Sequence, residues 1–326
     1  MSEKYTNLKK NSSIEKYLNT NEFKKNPLNS IIYYAKETNT NILDRRLLDR
    51  KDIIHPLNNF GKKAHGFVNS LELPVISYGV DWLAQALDQK GRVSYDKLLP
   101  VQTIACYSLL TNDVKVGPMA LIYTDEFLRG ILKHEKSHNV FATLNEAAQG
   151  ELISLFSQHH REDIELLYVV LRSAYSADYF DPKQTEKNAN LARTLGRGRR
   201  VVKQQLIKNG DKFEMVDVAR VVDEVIAYMQ MASGFENTFK EDPYFDFLLT
   251  AVRQLSERLD PAIQRKLAQY GFDSISVDDM IQQLQEDEAY KLAKVMQLLK
   301  PQFQLSSTDK KLIIFPQLIK DKRIFN

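Results

Sequence analysis

Apolar positions recur at helical spacing along most of the chain. In "EMVDVARVVDEVIAYMQMA" they fall at Met215, Val218, Val222, Val225 and Met229, a rhythm of threes and fours that lines one helix face. "TDEFLRGILKHEKSH" predicts a helix that opens at a Thr124/Asp125 cap, and "EAAQGELISLFSQHH" and "REDIELLYVVLRSAY" predict two more. "DPYFDFLLTAVRQLSERL" predicts a helix whose Tyr244, Phe245 and Phe247 enter the core. It runs into "DPAIQRKLAQYG", where Asp260 caps and Pro261 takes the first helical position. "SVDDMIQQLQEDEAYKLAKVMQLLK" reads as one long helix, with Ser276 and Asp279 at capping-box spacing and Pro301 as its stop. Further upstream, "SSIEKYL", "NILDRRLLDRKD" and "DWLAQALDQKG" carry the same signal, and Trp82 in the last is a core candidate.

Strand signals are sparse. "LPVISYGV", "PMALIY" and "KLIIF" are short and isolated, too few for a sheet-based fold. The pattern predicts an all-α protein: a two-lobed multi-helical bundle with at most a few short strands. The polar stretch "DYFDPKQTEKNAN" marks the expected lobe boundary. The expected organisation is a basic N-terminal arm over 1–60, an N-terminal helical lobe over 61–185, a C-terminal helical lobe over 186–300 and a tail over 301–326. No fixed-period repeat supports a solenoid.

Composition adds little to this picture, but the placement of charge adds more. The net charge is only +3 over 326 residues. It divides into +6 over 1–65, −5 over 66–189, +6 over 190–212, −7 over 213–300 and +3 over 301–326. Basic termini and one basic central segment alternate with two acidic bodies, so the basic pieces are expected to meet something anionic. The single cysteine, Cys106, sits in the apolar run "VQTIACYSLL" and reads as a core thiol. With no disulfide possible within one chain, the expectation is a reducing, cytoplasmic compartment. The first residues lack the apolar stretch of a signal peptide, and no run is long enough for a membrane span.

The central basic segment is "KNANLARTLGRGRRVVKQQLIKNG". No acidic residue occurs from Lys187 to Gly210. Gly196 and Gly210 read as successive helix stops. Arg197, Arg199 and Arg200 then sit on a short link that opens a predicted helix "VVKQQLIKN", with Arg193 a turn before, Lys203 a turn after and Lys208 further on. Free N–H groups at a helix N-terminus, joined by three guanidiniums, would cradle phosphate. The absence of G-K-[ST] disfavours nucleotide-hydrolysis chemistry. Aromatic residues are absent within the segment; Tyr175, Tyr179 and Phe180 lie just upstream.

One short motif points elsewhere. His134-Glu135-Lys136-Ser137-His138 matches H-E-x-x-H, in which two histidines one helical turn apart bind zinc and the glutamate is the general base. A third ligand must come from another segment; the candidates are His159, His160, Glu162 and Glu165 in "SQHHREDIE". At about 100° per residue, Glu135 falls between Ile131 and Leu128 on the apolar face, with His134 and His138 at its edge. Against a metal site stand Lys133 and Lys136, cations beside and within the motif. If the helix ends at Asn139, His134, Lys136 and His138 are last-turn cations favoured by the dipole. "QHHRED" then reads as a polar helix junction, with Arg161 and Glu165 paired at i,i+4.

The sequence therefore supports three readings. The leading one is a non-enzymatic helical assembly protein without a cofactor. It would bind nucleic acid or another polyanion through 193–203 and self-associate through its termini. Helical nucleoproteins that coat RNA share that plan, as an analogy of architecture alone. The second is a protein-only adaptor or scaffold subunit. The third is a zinc-dependent hydrolase built on His134 and His138, with Glu162 as a candidate third ligand.

Overall fold

The computed structural model describes residues 92–99, 104–108, 113–122, 125–175, 177–194, 200–233 and 243–299. The expected arm over 1–60, the helices around Ser12, Leu47 and Trp82, the runs "LPVISYGV" and "KLIIF", and the tail over 301–326 lie outside these residues. So do Arg197, Arg199 and the Arg193 side chain.

The described chain is mostly helical with a few short strands. Three strands come first: β1 (Val93–Tyr95), β2 (Ala105–Ser108) and β3 (Asp113–Val116). Helices α1 (Asp125–Thr143), α2 (Glu146–His159), α3 (Arg161–Ala174) and α4 (Pro182–Thr194) follow. Then come β4 (Gln204–Asn209), β5 (Lys212–Asp217) and α5 (Val218–Ser233). The last helices are α6 (Pro243–Glu257), α7 (Pro261–Gln269), α8 (Asp278–Glu286) and α9 (Glu288–Leu299).

Several boundaries follow the local chemistry that the sequence announces. Asp260 caps α7 by accepting from the Ala262 N–H at 2.7 Å, with Pro261 behind it. Asn145 caps α2 through the Ala148 N–H at 2.9 Å. Arg161 and Glu165 pair at 3.0 Å as their spacing requires.

Other expectations are corrected. "PMALIY" is not a strand: Pro118–Ile122 is a 3-10 turn, because Pro118 cannot donate to a ladder and the Ala120 N–H folds back onto Gly117 O. The helix expected over 276–300 is two helices broken at Asp287. Its carboxylate accepts from Tyr95 and Tyr290 N–H, and Val277, not Ser276, is the cap residue of α8. The helix expected over "VVKQQLIKN" is strand β4. It pairs antiparallel with β5 around Gly210, whose φ of +62° suits a tight turn that a side chain would resist. The alternation is visible once it is paired: Ile207 and Val216 are buried, while Leu206, Met215, Lys208 and Phe213 face outward.

In the first sheet the order is β1-β3-β2, with β1 and β3 parallel and β2 antiparallel at the edge among the described strands. Val93, Val114 and Val116 pack with Leu128 and Leu132 of α1 and with Met280 and Leu284 of α8. A larger cluster takes Phe127 and Ile131 from the same helix and joins them to α2, α3, α5, α6 and α7. It draws side chains from both sides of the 178–190 stretch. Helix α1 is thus buried on two sides, by the sheet and by α5, and its central turns are held in low-dielectric surroundings.

A candidate metal centre between two buried helices

Helix α1 does not end at Asn139. The apolar pattern continues through Val140, Phe141 and Ala142, with Phe141 only 1% exposed, and the helix runs to Thr143. His134 and His138 are therefore mid-helix residues, and the last-turn explanation of their charge does not apply. His134 and Glu135 are buried at 6% and 7% exposure.

The two imidazoles meet a carboxylate from a different segment. His134 Nε2 lies 3.6 Å from one Glu224 oxygen, and His138 Nε2 lies 3.5 Å from the other. The two Nε2 atoms are 3.2 Å apart. Among the described residues, His134, His138 and Glu224 form one group of potential metal donors. Bonds of about 2.05 Å around a tetrahedral zinc put ligand atoms about 3.3 Å apart; the two imidazole nitrogens already stand at that separation, and one donor atom from each of the three residues lies within 4.8 Å of the others.

A second layer of groups fixes the first. His138 Nδ1 donates to Asp223 Oδ1 at 3.0 Å. The Arg200 guanidinium donates to the other Asp223 oxygen. That places the His138 proton on Nδ1 and presents the Nε2 lone pair to His134 and Glu224. The hydroxyls of Tyr175, at 2.8 Å, and of Tyr179 donate to the two oxygens of Glu224. Tyr228 contacts the His134 ring edge-on and shares a hydrogen bond with Tyr175. His134 Nδ1 is buried without a hydrogen-bond partner.

The electrostatics favour ligation. Desolvation, then the neighbouring His138, push His134 down to about 3, and desolvation also lowers His138. Both rings are therefore neutral at neutral pH, the form a metal takes. Burial would raise Glu224, but His138, His134, Tyr179 and Arg220 more than reverse it, and it stays a carboxylate. Glu135 is raised to about 7, first by desolvation, while the Tyr107 backbone N–H donates to it from β2. The largest cationic influences on His138 come from Arg200 and Arg220, not from Lys133 or Lys136. Cys106, next to Glu135, is held as a thiol by burial, at about 12.

The remaining candidates lie elsewhere. Glu162 is exposed and outside the cluster; the residue that joins the two histidines is Glu224 and not one from "SQHHREDIE". His160 bridges Asp163 (2.9 Å) and the Asp260 N–H (3.1 Å), His159 pairs with Asp260 at 3.2 Å, and Glu165 pairs with Arg161. In the basic segment, Arg200 is turned inward onto Asp223, while Lys203 and Lys208 are exposed on the hairpin. Gln149 anchors the stretch that carries Arg200, accepting from Val201 N–H at 2.9 Å and donating to Phe141 O at 2.9 Å. Asp217 fixes the start of α5 by accepting from Lys203 N–H (3.0 Å) and Ala219 N–H (3.1 Å).

Asp223 and Glu224 are the residues that motif reading passes over. Relative to the stripe at 218, 222, 225 and 229, both fall on the far side of the helix, where acids read as solvated. The signal was composition: two acids between Val221, Val222, Val225 and Ile226 in a helix that is apolar nearly all round. No protein-family model, curated protein or solved structure matches the chain.

Proposed function

We propose that this chain is a metal-dependent hydrolase, with zinc held by His134, His138 and Glu224 and Glu135 as the general base. The observation that carries the reading is the convergence of two neutral imidazoles and one carboxylate at 3.2, 3.5 and 3.6 Å. Two histidines and a glutamate are a donor set of catalytic zinc, and three protein donors leave a coordination position for water or substrate. When bound, zinc supplies a Lewis acid that polarises a scissile carbonyl and acidifies water.

This chain's own residues do the rest. Glu135, dry and one residue from a ligand, takes the proton of the attacking water and returns it to the leaving group. Asp223 holds the His138 ring and its tautomer. Tyr175 and Tyr179 hold the Glu224 carboxylate. Edge strand β2 bears on Glu135 through the Tyr107 N–H and sets its position.

Metal analysis and a hydrolysis assay test the reading together. Protein stripped and reloaded with zinc is expected to retain one ion per chain and to cleave a mixed peptide library followed by mass spectrometry. Glu135→Gln is expected to keep the zinc and lose the cleavage. Protein that retains no stoichiometric metal overturns the proposal. Iron retained in preference to zinc would move it to oxygen chemistry, since two histidines and one carboxylate also suit ferrous iron.

Binding of nucleic acid keeps one supporting observation, the exposed Lys203 and Lys208 on the hairpin. The absorbance ratio at 260 and 280 nm of the purified protein, and the salt dependence of RNA binding, test it. The adaptor reading is supported by the outward Leu206, Phe213 and Met215, exposed by 54%, 65% and 52%.

A further inference from the structure

A cavity of about 200 Å³ opens beside His138. Its wall includes Tyr107, Tyr179, Asp223, Arg200 and Arg220. Two guanidiniums in one small cavity next to a hydrolytic centre call for a reason, and the two are not equivalent. Arg200 is matched by Asp223, to which it donates. Arg220 lies flat over the Tyr179 ring, 3.9 Å from its centroid. Its Nε is buried and has no hydrogen-bond acceptor among the described residues; the same holds for the Arg200 Nε, so the difference between the two guanidiniums rests on the Asp223 carboxylate that Arg200 bonds. A buried N–H of a guanidinium left without an acceptor is costly, and the cost falls when a ligand oxygen supplies one.

The position of Arg220 follows from the helix. It stands three and four residues before Asp223 and Glu224 on α5, so it lies one turn from the metal donor on the same side. Tyr179 serves both: its hydroxyl donates to Glu224 and its ring carries Arg220. Asp217 stands behind: its Oδ1 accepts from the Lys203 and Ala219 N–H groups, its Oδ2 has no hydrogen-bond partner among the described residues, and its charge and that of Glu224 attract Arg220 without a hydrogen bond to it. The cavity therefore presents one guanidinium not already matched by a carboxylate in the same wall. Asp223 in that wall opposes a doubly charged guest such as a phosphate monoester, whereas a single planar carboxylate fits a guanidinium fork.

Resting on the metal-hydrolase reading, we infer that this cavity is a specificity subsite. It receives a carboxylate of the substrate next to the scissile bond, from an acidic side chain or a chain terminus, with Arg220 as the recognising cation. Hydrolysis itself needs no new step. The inference fixes which peptides or acyl compounds enter.

The test uses two metal-chelating probes of equal length, succinate monohydroxamate and its terminal amide, titrated calorimetrically into zinc-loaded protein. The acid is expected to bind at least tenfold more tightly than the amide. In Arg220→Gln, compared at saturating zinc, that ratio is expected to fall to about one, and Arg220→Lys is expected to keep part of it. A ratio near one in wild-type protein carrying one zinc overturns the subsite and leaves the metal centre standing. Protein that binds no zinc overturns both. A peptide library with amidated ends then separates the two sources. Cleavage beside Glu or Asp assigns a side chain, and cleavage only with a free terminus assigns the terminal carboxylate. Cleavage indifferent to both also overturns the subsite.

Discussion

His138 and Glu224 stand 86 residues apart in the chain and 3.5 Å apart in space, Nε2 to Oε1. One comes from a helix announced by a motif, the other from a helix that reads as ordinary core. Their meeting depends on the packing of α1 against α5. The proposed metal site is therefore expected to couple binding to folding, since the candidate donors converge only when that helix pair is docked.

Zinc removal is expected to destabilise the fold. At free zinc about a thousandfold above its Kd, a single site adds about 4 kcal/mol. Chelation by EDTA should therefore lower the melting temperature by many degrees in wild-type protein. In Glu224→Gln it should change it little, because that variant binds zinc weakly. Differential scanning calorimetry with and without chelator checks this.

Asp223→Asn removes the counter-charge of Arg200 and leaves one acceptor oxygen where His138 and Arg200 now use two. Zinc affinity is expected to fall by about 10- to 100-fold, measured by competition with a chromophoric chelator. An unchanged affinity would show that His138 keeps its tautomer without Asp223.

The ion pair of Asp163 and Arg258 lies away from the metal donors and gives a pH prediction. Arg258 donates to both Asp163 oxygens, at 2.8 and 2.7 Å, and His160 bonds the same carboxylate. Desolvation alone would raise Asp163, but the His160 and Arg258 contacts outweigh it, and its pKa is lowered. A carboxyl lowered in the folded state contributes stability above its unfolded pKa of about 3.9 and loses it as pH falls through the folded value. Asp163→Asn is expected to cost about 3 kcal/mol near neutral pH. The gap from wild type should close in denaturant titrations as pH falls below that unfolded value.

Gly210→Ala tests the hairpin. No atom lies within 4 Å of the position a Cβ would take, so the cost comes from the left-handed backbone alone. About 1 kcal/mol is expected, read from the urea midpoint, with zinc content unaltered. A loss much larger than this would place the hairpin turn against other parts of the chain.

Lys203→Glu with Lys208→Glu separates the readings. Both side chains are exposed on β4 and its approach, away from the donor group. Hydrolysis and zinc binding are expected to be unchanged. A steep fall in RNA affinity in the same variant, with a shallower salt slope, would instead support the polyanion reading.

Helices were legible because each is written in consecutive residues: the Asp260 cap, the Pro261 start, and apolar spacing through α2, α3, α5 and α6. The burial of Glu135 was legible too, since a helix wheel needs only local geometry. The β4–β5 hairpin was not. Its alternation is short, the Gly210 of its Gly210–Asp211 turn reads equally well as a helix stop, and its lysines read equally well as helix. The full extent of α1 was not legible either, because Asn139 resembles a stop, whereas Phe141 is buried only in the folded molecule.

Helical character, the H-E-x-x-H spacing and the dry side on which Glu135 sits are properties of neighbours along the chain, and consecutive residues carry them. Tertiary structure decided that Glu224 and Asp223 face those histidines, that Arg200 turns inward, and that Arg220 lines a cavity. Those facts depend on which faces of distant helices are pressed together, and no local period records that choice.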